Sequence, residues 1–226
     1  CYNTFYHPSN MVLLVVGDVD YGKVFGMVEE GIKKTEPMPE IKRILTEEPA
    51  RPGSNYIEQP LTVSIPIFNM GFKDSGYPTD GKEILKREVA VKILLEALAG
   101  KSSLFYNDMY NRGLINSTFE WDYSIEKKYS FSIMGGESPD PCKVRDEFLS
   151  LVESERTKGL DQETCIRIKK ALKGRFLRKF NFPESISRTF ISVFFKGVNI
   201  FDYSDVYDTI TFDYLNDVFE SHFRPE

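Results

Sequence analysis

The sequence predicts an α+β fold in which a mostly antiparallel or mixed β-sheet carries helices packed on one face. Three observations predict it: a short apolar run near the start, a segment whose aromatic side chains alternate with polar ones, and several stretches with apolar residues at helical spacing. Strands grouped apart from helices are typical of this class. The length of 226 residues is compatible with one domain, which we expect to cover residues 1–226.

The first predicted strand is Met11–Val16, an apolar run bounded by turn-forming residues on both sides. A short apolar run with such flanks indicates a strand that is buried on both faces or lies at the centre of a sheet. Gly17 permits a sharp turn, and Asp18 or Asp20 can cap the helix that follows. Apolar residues near helical spacing predict that helix over residues 21–34.

Two further strands are predicted over residues 55–59 and 61–72, after a proline-rich surface connection over residues 36–53. Pro60 and Pro66 lack the backbone N–H that a central strand must donate. Both strands are therefore expected at sheet edges or bulges.

The most strongly predicted helix covers residues 83–99, where apolar side chains occupy well over half of the circumference. Such a helix should be buried on more than one side. Gly100 is expected to end it. Ser102 can then cap a second helix over residues 103–111, which Gly113 ends.

Residues 117–134 predict an antiparallel hairpin with one solvated face. The apolar positions of its two strands are Phe119, Trp121, Tyr123 and Ile125, then Tyr129, Phe131 and Ile133. Gly135 and Gly136 are interpreted as the exit from this hairpin.

The rest of the chain is predicted to be helical. The first of these helices is capped by Asp140 and has Pro141 at its first position. The others cover residues 162–180, 184–195, 203–209 and 212–223, and Asp161 and Thr211 cap the first and the last of these four.

Composition and length exclude several classes of protein. The net charge of −5 argues against a nucleic-acid-binding surface, and no apolar run approaches the roughly 20 residues of a membrane helix. The three cysteines are widely spaced, so neither a disulfide framework nor a zinc knuckle is expected, and a cytoplasmic setting is predicted. Because the first residue is not Met and no signal-peptide pattern follows, we expect a piece of a longer polypeptide or a processed product.

No catalytic motif is present in the sequence. The two histidines, His7 and His222, lie at opposite ends without acidic residues at the spacing of a zinc site. We interpret His7 as a turn residue and His222 as part of a surface helix end. No nucleophile elbow or phosphate-binding loop is found. We therefore expect neither catalytic residues nor a metal or cofactor site in this chain.

One predicted helix carries a basic run. Its members are Arg167, Lys169, Lys170, Lys173, Arg175, Arg178 and Lys179. Because they spread around most of the helix, they indicate a solvated, ion-paired face. Nucleic-acid binding is the less favoured alternative, and salt-dependent binding would test it.

The corner at residues 6–20 resembles a known protein family. Its pattern, Tyr-x-Pro-x-Asn-Met, apolar residues and then Val-Gly-Asp-Val-Asp, is similar to the opening of the second subdomain in the insulinase/pitrilysin zinc metallopeptidases. The resemblance implies an α+β half-domain fold. It also implies that zinc is held upstream of residue 1, in a first subdomain that carries an H-x-x-E-H motif. This chain would then be the subdomain without the metal.

A second region of likeness covers residues 96–121, and residues 98–115 within it carry the quoted pattern. In catalytically complete members of the family, an arginine and a tyrosine from this region contact the peptide substrate. The matching positions here hold Tyr110 and Asn116, whereas a shifted register pairs Arg112 with Phe119 and keeps the cation without the hydroxyl. The resemblance therefore implies a degenerate substrate-binding set of Tyr110, Arg112 and Asn116.

Two functions remain open. By resemblance, the chain is the non-catalytic portion of an insulinase-type zinc metalloendopeptidase, forming a chamber wall and a docking surface. Its partners would be the zinc-bearing N-terminal subdomain or a paired peptidase-like subunit, with a peptide substrate in the assembled enzyme. The alternative is an inactive structural or interaction subunit of the same fold. An intact H-x-x-E-H upstream of Cys1 would favour the first.

Overall fold

The long apolar segment that follows residue 80 forms helix α3 (Gly81–Ala99), around which the other elements pack. The computed structural model describes residues 1–32, 38, 41–42, 44, 49, 51–74, 78, 81–126 and 129–224. Side chains such as Ala90, Val91 and Ile93 of α3 are fully buried although they point in different directions around the helix. The prediction that this helix is buried on more than one side is confirmed.

The described residues contain three strands and a series of helices. The strands are β1 (Ile67–Lys73), β2 (Glu120–Ile125) and β3 (Ser130–Glu137). The other helices are α1 (Tyr2–Phe5), α2 (Tyr21–Gly31), α4 (Leu104–Asn111), α5 (Pro141–Lys158), α6 (Gln162–Arg178), α7 (Pro183–Phe194), α8 (Asp202–Thr209) and α9 (Phe212–His222). The predicted helices are thus present, with ends shifted by a few residues.

Short polar side chains begin the helices much as predicted. In four confirmed caps the side-chain oxygen accepts a backbone N–H three residues later: Asp20, Asp140, Asp161 and Thr211. The cap of α4 is wrong by one residue, because Ser103 rather than Ser102 accepts the N–H of Tyr106, at 3.0 Å. Ser103 has the extended backbone that a cap residue needs, and Leu104 is the first helical residue.

The sheet is antiparallel and has the strand order β1-β3-β2 in the described residues. β1 lies at an edge, as Pro66 predicts. One face packs against the helices, with Phe68, Met70 and Trp121 directed toward the core. The α+β class, with helices on one face of an antiparallel sheet, is confirmed.

The register of β3 differs from the prediction. Met134 lies opposite both Met70 and Trp121 and is buried, so the alternation of side chains places Ser132 and Ser130 on the inner face. Phe131 and Ile133 therefore lie on the outer face, along with the preceding Tyr129, which is 40% exposed. The hairpin has one solvated face, as predicted, but on β3 that face carries apolar side chains, whereas the alternation predicted the apolar residues of β3 on the buried face.

Gly135 and Gly136 lie inside β3 and do not form the predicted hairpin exit. They allow close approach of neighbouring backbone. A Cβ atom added at Gly135 would lie 2.0 Å from the carbonyl oxygen of Phe68, and one added at Gly136 would lie 2.8 Å from the Cα of Phe119.

The substitution Gly135→Ala should lower the free energy of unfolding by about 1–3 kcal/mol, because the new methyl group meets backbone that must shift. The matched control is Gly174→Ala in α6, where an added Cβ has no atom within 4 Å. That change should raise stability by about 0.5–1 kcal/mol, since alanine is the better helix former. Urea unfolding of both variants measures the difference, and equal effects would contradict this account of β3.

The described residues before β1 contribute nothing to the core. Met11–Val16 and residues 55–59 form no strand, so both strand predictions are wrong here. Of the described residues before Ile67, none is buried. The physical reason is that an apolar run forms a strand only where another strand pairs with it, and no described strand does. Most of the predicted connection over residues 36–53 lies outside the described residues.

Candidate functional site

The first two residues of the predicted substrate-binding set lie at the end of α4. The ring of Tyr110 stacks on Tyr106 with centroids 5.9 Å apart, and its side chain is half exposed. The guanidinium of Arg112 donates to Asp108 and to Glu147, each at 2.7 Å. Arg112 is thus already paired with two carboxylates, one on its own helix and one on α5.

The third residue of that set lies beside the end of β3. The side-chain amide of Asn116 donates to the carboxylate of Glu137 at 2.7 Å, and its oxygen accepts the backbone N–H of Thr118 at 2.9 Å. This arrangement fixes the turn that leads into β2. Its role in substrate binding stays a prediction, as does that of Tyr110 and Arg112.

A groove of about 310 Å³ lies on the sheet along β1 and β3. The outward side chains of Tyr129, Phe131 and Ile133 line it, and the first two stack with centroids 6.2 Å apart. Gly71 of β1 contributes only backbone. The groove can therefore accept an apolar side chain beside an exposed strand.

A second groove, of about 250 Å³, lies where the end of α3 meets β2 and α6. Trp121 forms part of its wall, together with Lys101 and the ion pair between Glu96 and Arg175, whose Oε1 and Nη2 atoms are 3.0 Å apart. Because charges of both signs line it, the groove favours neither an anionic nor a cationic ligand.

A buried ion pair lies between α3 and the end of β1. Arg87 donates from Nε and Nη2 to the two carboxylate oxygens of Asp74, at 2.7 and 2.5 Å, and the hydroxyl of Tyr123 donates to the same carboxylate at 2.8 Å. Burial by itself raises the pKa of Asp74, but the neighbouring His222 and Arg87 outweigh burial and lower it well below its ordinary value. The carboxylate is therefore held ionised inside the protein.

His222 of α9 completes this cluster and resembles the central member of a Ser-His-Asp triad. Its Nε2 lies 2.8 Å from Ser132 Oγ, and its Nδ1 lies 3.6 Å from Asp74 Oδ2. The exposed fractions of Ser132, His222 and Asp74 are 1%, 2% and 3%, so no substrate reaches the serine. Asp74 is moreover committed to Arg87. We interpret the cluster as a structural latch that holds α9 on the sheet.

The prediction that His222 lies at a surface helix end is wrong. It is buried, and the sequence contained the signal that shows why. Leu215, Val218 and Phe219 precede it and Phe223 follows it, at the spacing of one helical face. That spacing places His222 among the core residues of α9. His7, in contrast, is only partly buried and lies at a bend, where its ring nitrogen accepts the backbone N–H of Ser9 at 3.2 Å, as predicted for a turn residue.

The described residues contain no group of histidine, cysteine, aspartate and glutamate side chains that could hold a metal ion. The cysteines are free thiols. Burial raises the pKa of Cys165 to about 11, so this thiol is protonated and unreactive near neutral pH. The residues that the structure describes therefore do not fit a zinc site.

Residues 1–172 match the family described as Peptidase M16 inactive domain. The chain belongs to the M16 peptidase family, as an inactive domain. The resemblance to the zinc metallopeptidases is thereby confirmed.

This M16 domain spans about half the length of the curated relative and of the two solved structures described next. It is 35% identical over 225 residues to the uncharacterized zinc protease YmfH of Bacillus subtilis. The aligned region covers 97% of this chain and 52% of that protein. A crystal structure assigned as an M16-like peptidase from Alicyclobacillus acidocaldarius matches with a TM-score of 0.89 and 29% identity, over 99% of this chain and 54% of that one. A protease from Helicobacter pylori, 19% identical with a TM-score of 0.77, shares the fold over 98% of this chain and 54% of its own.

The basic run of the M16 domain lies on α6 and on Lys179, the residue after it, and three of its seven members bind acceptor groups on other elements. Lys173 contacts the carboxylate of Asp208 at 2.7 Å, Arg175 pairs with Glu96, and Lys169 donates to a backbone carbonyl at 2.7 Å. These contacts join α6 to α3 and to the C-terminal helices. No helix within the described residues is long and apolar enough to cross a membrane.

Proposed function

We propose that this M16 domain is the non-catalytic portion of a zinc metalloendopeptidase, forming part of the wall of a peptide-holding chamber and a docking surface for the zinc-bearing subdomain. The observation that carries this proposal is the match to an inactive M16 domain that spans about half of a zinc protease.

The outer face of the sheet supports the role of a wall. Phe131 and Tyr129 remain 38% and 40% exposed on a face where solvent alone would favour polar side chains. Exposed apolar surface of this kind marks sites of contact with other molecules. We assign the groove along β1 and β3 as the part of this face that meets a peptide or the neighbouring subdomain.

The catalytic chemistry would lie outside this chain. Zinc, bound by histidine and glutamate in the upstream subdomain, would activate a water molecule for attack on the peptide bond. The residues of this domain would shape the peptide-holding chamber and exclude solvent from it. The cytoplasmic setting remains a prediction.

The alternative, an inactive structural subunit of the same fold, is favoured by one observation. Arg112 is paired with Asp108 and Glu147, so it is not free to hold a substrate without breaking these ion pairs. The two functions differ in the segment upstream of Cys1, where an intact H-x-x-E-H supports the peptidase and a decayed one supports the structural subunit.

The proposal predicts that the 226-residue chain, dialysed against zinc, binds no stoichiometric metal and cleaves no peptide. The longer polypeptide that includes the upstream subdomain should bind about one zinc per chain and lose peptide cleavage when a chelator is added. Metal content by mass spectrometry and cleavage of a fluorogenic peptide library measure both. Stoichiometric zinc in the 226-residue chain, or no zinc in the longer one, would contradict the proposal.

A further inference from the structure

We propose that the surface formed jointly by α6 and α8 binds the same surface of a second copy of this chain, so that the domain forms a two-fold symmetric dimer. We name this surface the α6–α8 face. Its exposed side chains are Arg167, Lys170, Leu177 and Arg178 of α6, Phe201 before α8, and Asp205 of α8. The inference goes beyond the proposed function, because it involves neither zinc nor the upstream subdomain.

Helices α6 and α8 lie side by side and run in opposite directions. Three contacts join them or the residues at their ends, and each contact further along α6 is further back along α8. The contacts are Lys173 Nζ with Asp208 Oδ1 at 2.7 Å, and the ring pairs Phe176 with Tyr203 and Phe180 with Phe201, whose centroids are 4.9 and 5.9 Å apart. Because one side of each helix is buried, their opposite sides form one continuous surface that faces solvent.

The first observation is a set of unpaired cations on the solvent side of α6. Of the arginines that follow residue 80, six form ion pairs within the chain: Arg87, Arg112, Arg145, Arg156, Arg175 and Arg188. In the part of the chain that the structure describes, Arg167, Lys170 and Arg178 have no carboxylate oxygen within 4.0 Å. Their spacing places them on one side of the helix. These cations are therefore available to the carboxylates of another molecule.

The second observation is an unpaired carboxylate on the neighbouring helix. Asp205 of α8 is exposed, and among the described residues no lysine or arginine nitrogen lies within 4.0 Å of it. Asp208, one turn later, already pairs with Lys173. The α6–α8 face thus carries unpaired charges of both signs on two adjacent helices. Such a surface is complementary to itself when a two-fold rotation exchanges the two helices.

The third observation is exposed apolar area beside these charges. Leu177 and Phe201 are 47% and 64% exposed. Phe201 holds the cap position of α8, where serine, threonine, aspartate or asparagine is preferred, and its side chain accepts no hydrogen bond from the helix. The residue therefore does little for the start of α8 and leaves most of its ring in water. Contact with another apolar surface would remove this area from water.

A two-fold axis that runs between α6 and α8, along their common direction, places α6 of each copy on α8 of the other. Residues at the same level of the helix pair then meet. Asp205 lies between Tyr203 and Asp208, and hence between the levels of Phe176 and Lys173 on α6. Lys170 and Arg178 flank that level, so the two cations of one copy meet the aspartate of the other.

The same rotation brings the exposed apolar side chains together. Phe201 lies at the level of Phe180, one turn or less from Leu177, so the leucine of each copy meets the phenylalanine of the other. Between Lys170 and Arg178 lies Gly174, where an added Cβ would have no atom within 4 Å. This position leaves room for the opposing helix. An apolar centre with charges around it is the usual composition of a protein–protein interface.

A second copy is the occupant that satisfies all three observations. A nucleic acid or an anionic membrane would pair with the cations, but Asp205 would repel it. An acidic segment of an unrelated protein would likewise leave Asp205 without a cation. The second copy supplies a carboxylate for the cations, cations for the carboxylate and an apolar surface for Phe201.

Sedimentation equilibrium of the 226-residue chain tests the inference. We expect a monomer–dimer equilibrium whose dissociation constant rises at least about tenfold between about 50 mM and about 500 mM NaCl, because salt screens the exposed charge pairs. A chain that stays monomeric at its highest soluble concentration would overturn the inference. So would a monomer that instead sediments with phosphatidylglycerol vesicles or binds an oligonucleotide, since the face would then serve an anionic surface.

Reversal of charge identifies the face that forms the dimer. The double substitution Lys170→Glu with Arg178→Glu should weaken the dimer at least about tenfold, and so should Asp205→Lys, because like charges then meet. A mixture of these two variants should form a heterodimer about as stable as the wild-type dimer, because both sets of contacts again join opposite charges. Failure of the mixture to associate would contradict the inference, and a folding defect cannot imitate the recovery.

The matched control is the double substitution Lys143→Glu with Arg145→Glu, which makes the same change of net charge on the exposed side of α5. It should leave the dissociation constant of the dimer within about twofold of the wild-type value, because surface charges outside an interface act only through a screened field. Weakening equal to that of the α6 variant would show an effect of net charge alone and would overturn the assignment of the α6–α8 face.

Discussion

Replacing Asp74 with Asn should lower the free energy of unfolding of this M16 domain by about 3–5 kcal/mol. The reason is that the substitution leaves the guanidinium of Arg87 buried without its counter-charge, and removing one partner of a buried ion pair has an effect of this size. The side chains of Asp74 and Arg87 are 0% and 9% exposed, so water cannot replace the lost partner. Urea unfolding at pH 7, followed by circular dichroism, measures the change.

Two controls accompany this prediction. Asp146→Asn removes a carboxylate that pairs with Arg145 on the surface, where both side chains are largely exposed, and should change stability by less than about 1 kcal/mol. The double substitution Asp74→Leu with Arg87→Met should recover more than half of the loss, because it removes both charges together. A loss below about 1 kcal/mol for Asp74→Asn would show that the latch contributes little.

The lowered pKa of Asp74 also predicts that the stability of this domain depends on pH. The pKa of Asp74 is lower in the folded protein than the value of about 3.9 expected for the unfolded chain. A group of this kind contributes its full stabilisation above about pH 5, and the contribution decreases as the pH falls below about 4. The stability difference between wild type and Asp74→Asn should therefore shrink between pH 5 and pH 3. A constant difference would contradict the assignment.

Replacing Phe148 with Ala should also lower the free energy of unfolding by about 3–5 kcal/mol, because it leaves a cavity in a well-packed core. Phe148 of α5 is fully buried, and its ring centroid lies 5.3 Å from that of Phe105, 6.2 Å from that of Phe72 and 6.3 Å from that of Phe223. The substitution thus loosens contacts to α4, to β1 and to the end of α9 at once.

The neighbouring residue provides the matched control. Leu149 lies on the same helix but is 43% exposed, so Leu149→Ala should change stability by less than about 1 kcal/mol. Thermal and urea unfolding of both variants measure the contrast. Similar losses for the two substitutions would show that the buried ring of Phe148 stabilises the domain no more than a half-exposed side chain does.

Local features of the fold could be predicted because neighbouring residues decide them. Asp140 and Asp161 cap helices since their side chains reach a backbone N–H three residues along the chain. Gly113 ends α4 in the left-handed conformation, with φ +68°, and the N–H of Leu114 donates back to Met109 at 2.9 Å. Each of these signals lies within a few residues and needs no tertiary partner.

The buried latch could not be predicted in the same way, because its members come from distant parts of the chain. Ser132 and His222 are 90 residues apart, and Arg87 contacts Ser221 across 134 residues. Ser132 lies on the inner face of the sheet because of the register in which β3 pairs with β1 and β2. The alternation of side chains in β3 alone predicted that Ser132 lies on the opposite face. The substrate-binding set of Tyr110, Arg112 and Asn116 likewise came from likeness to the family and stays a prediction.

The sequence by itself determined the positions of the helices, their capping residues and the relationship to the M16 peptidases, because these depend on short patterns. The tertiary structure decided which face of β3 is buried, that His222 belongs to the core, and that Met11–Val16 has no strand partner in the described sheet. These outcomes depend on pairing between segments far apart in the chain. An apolar pattern indicates that a side chain is stabilised by burial, but it does not indicate which surface buries it.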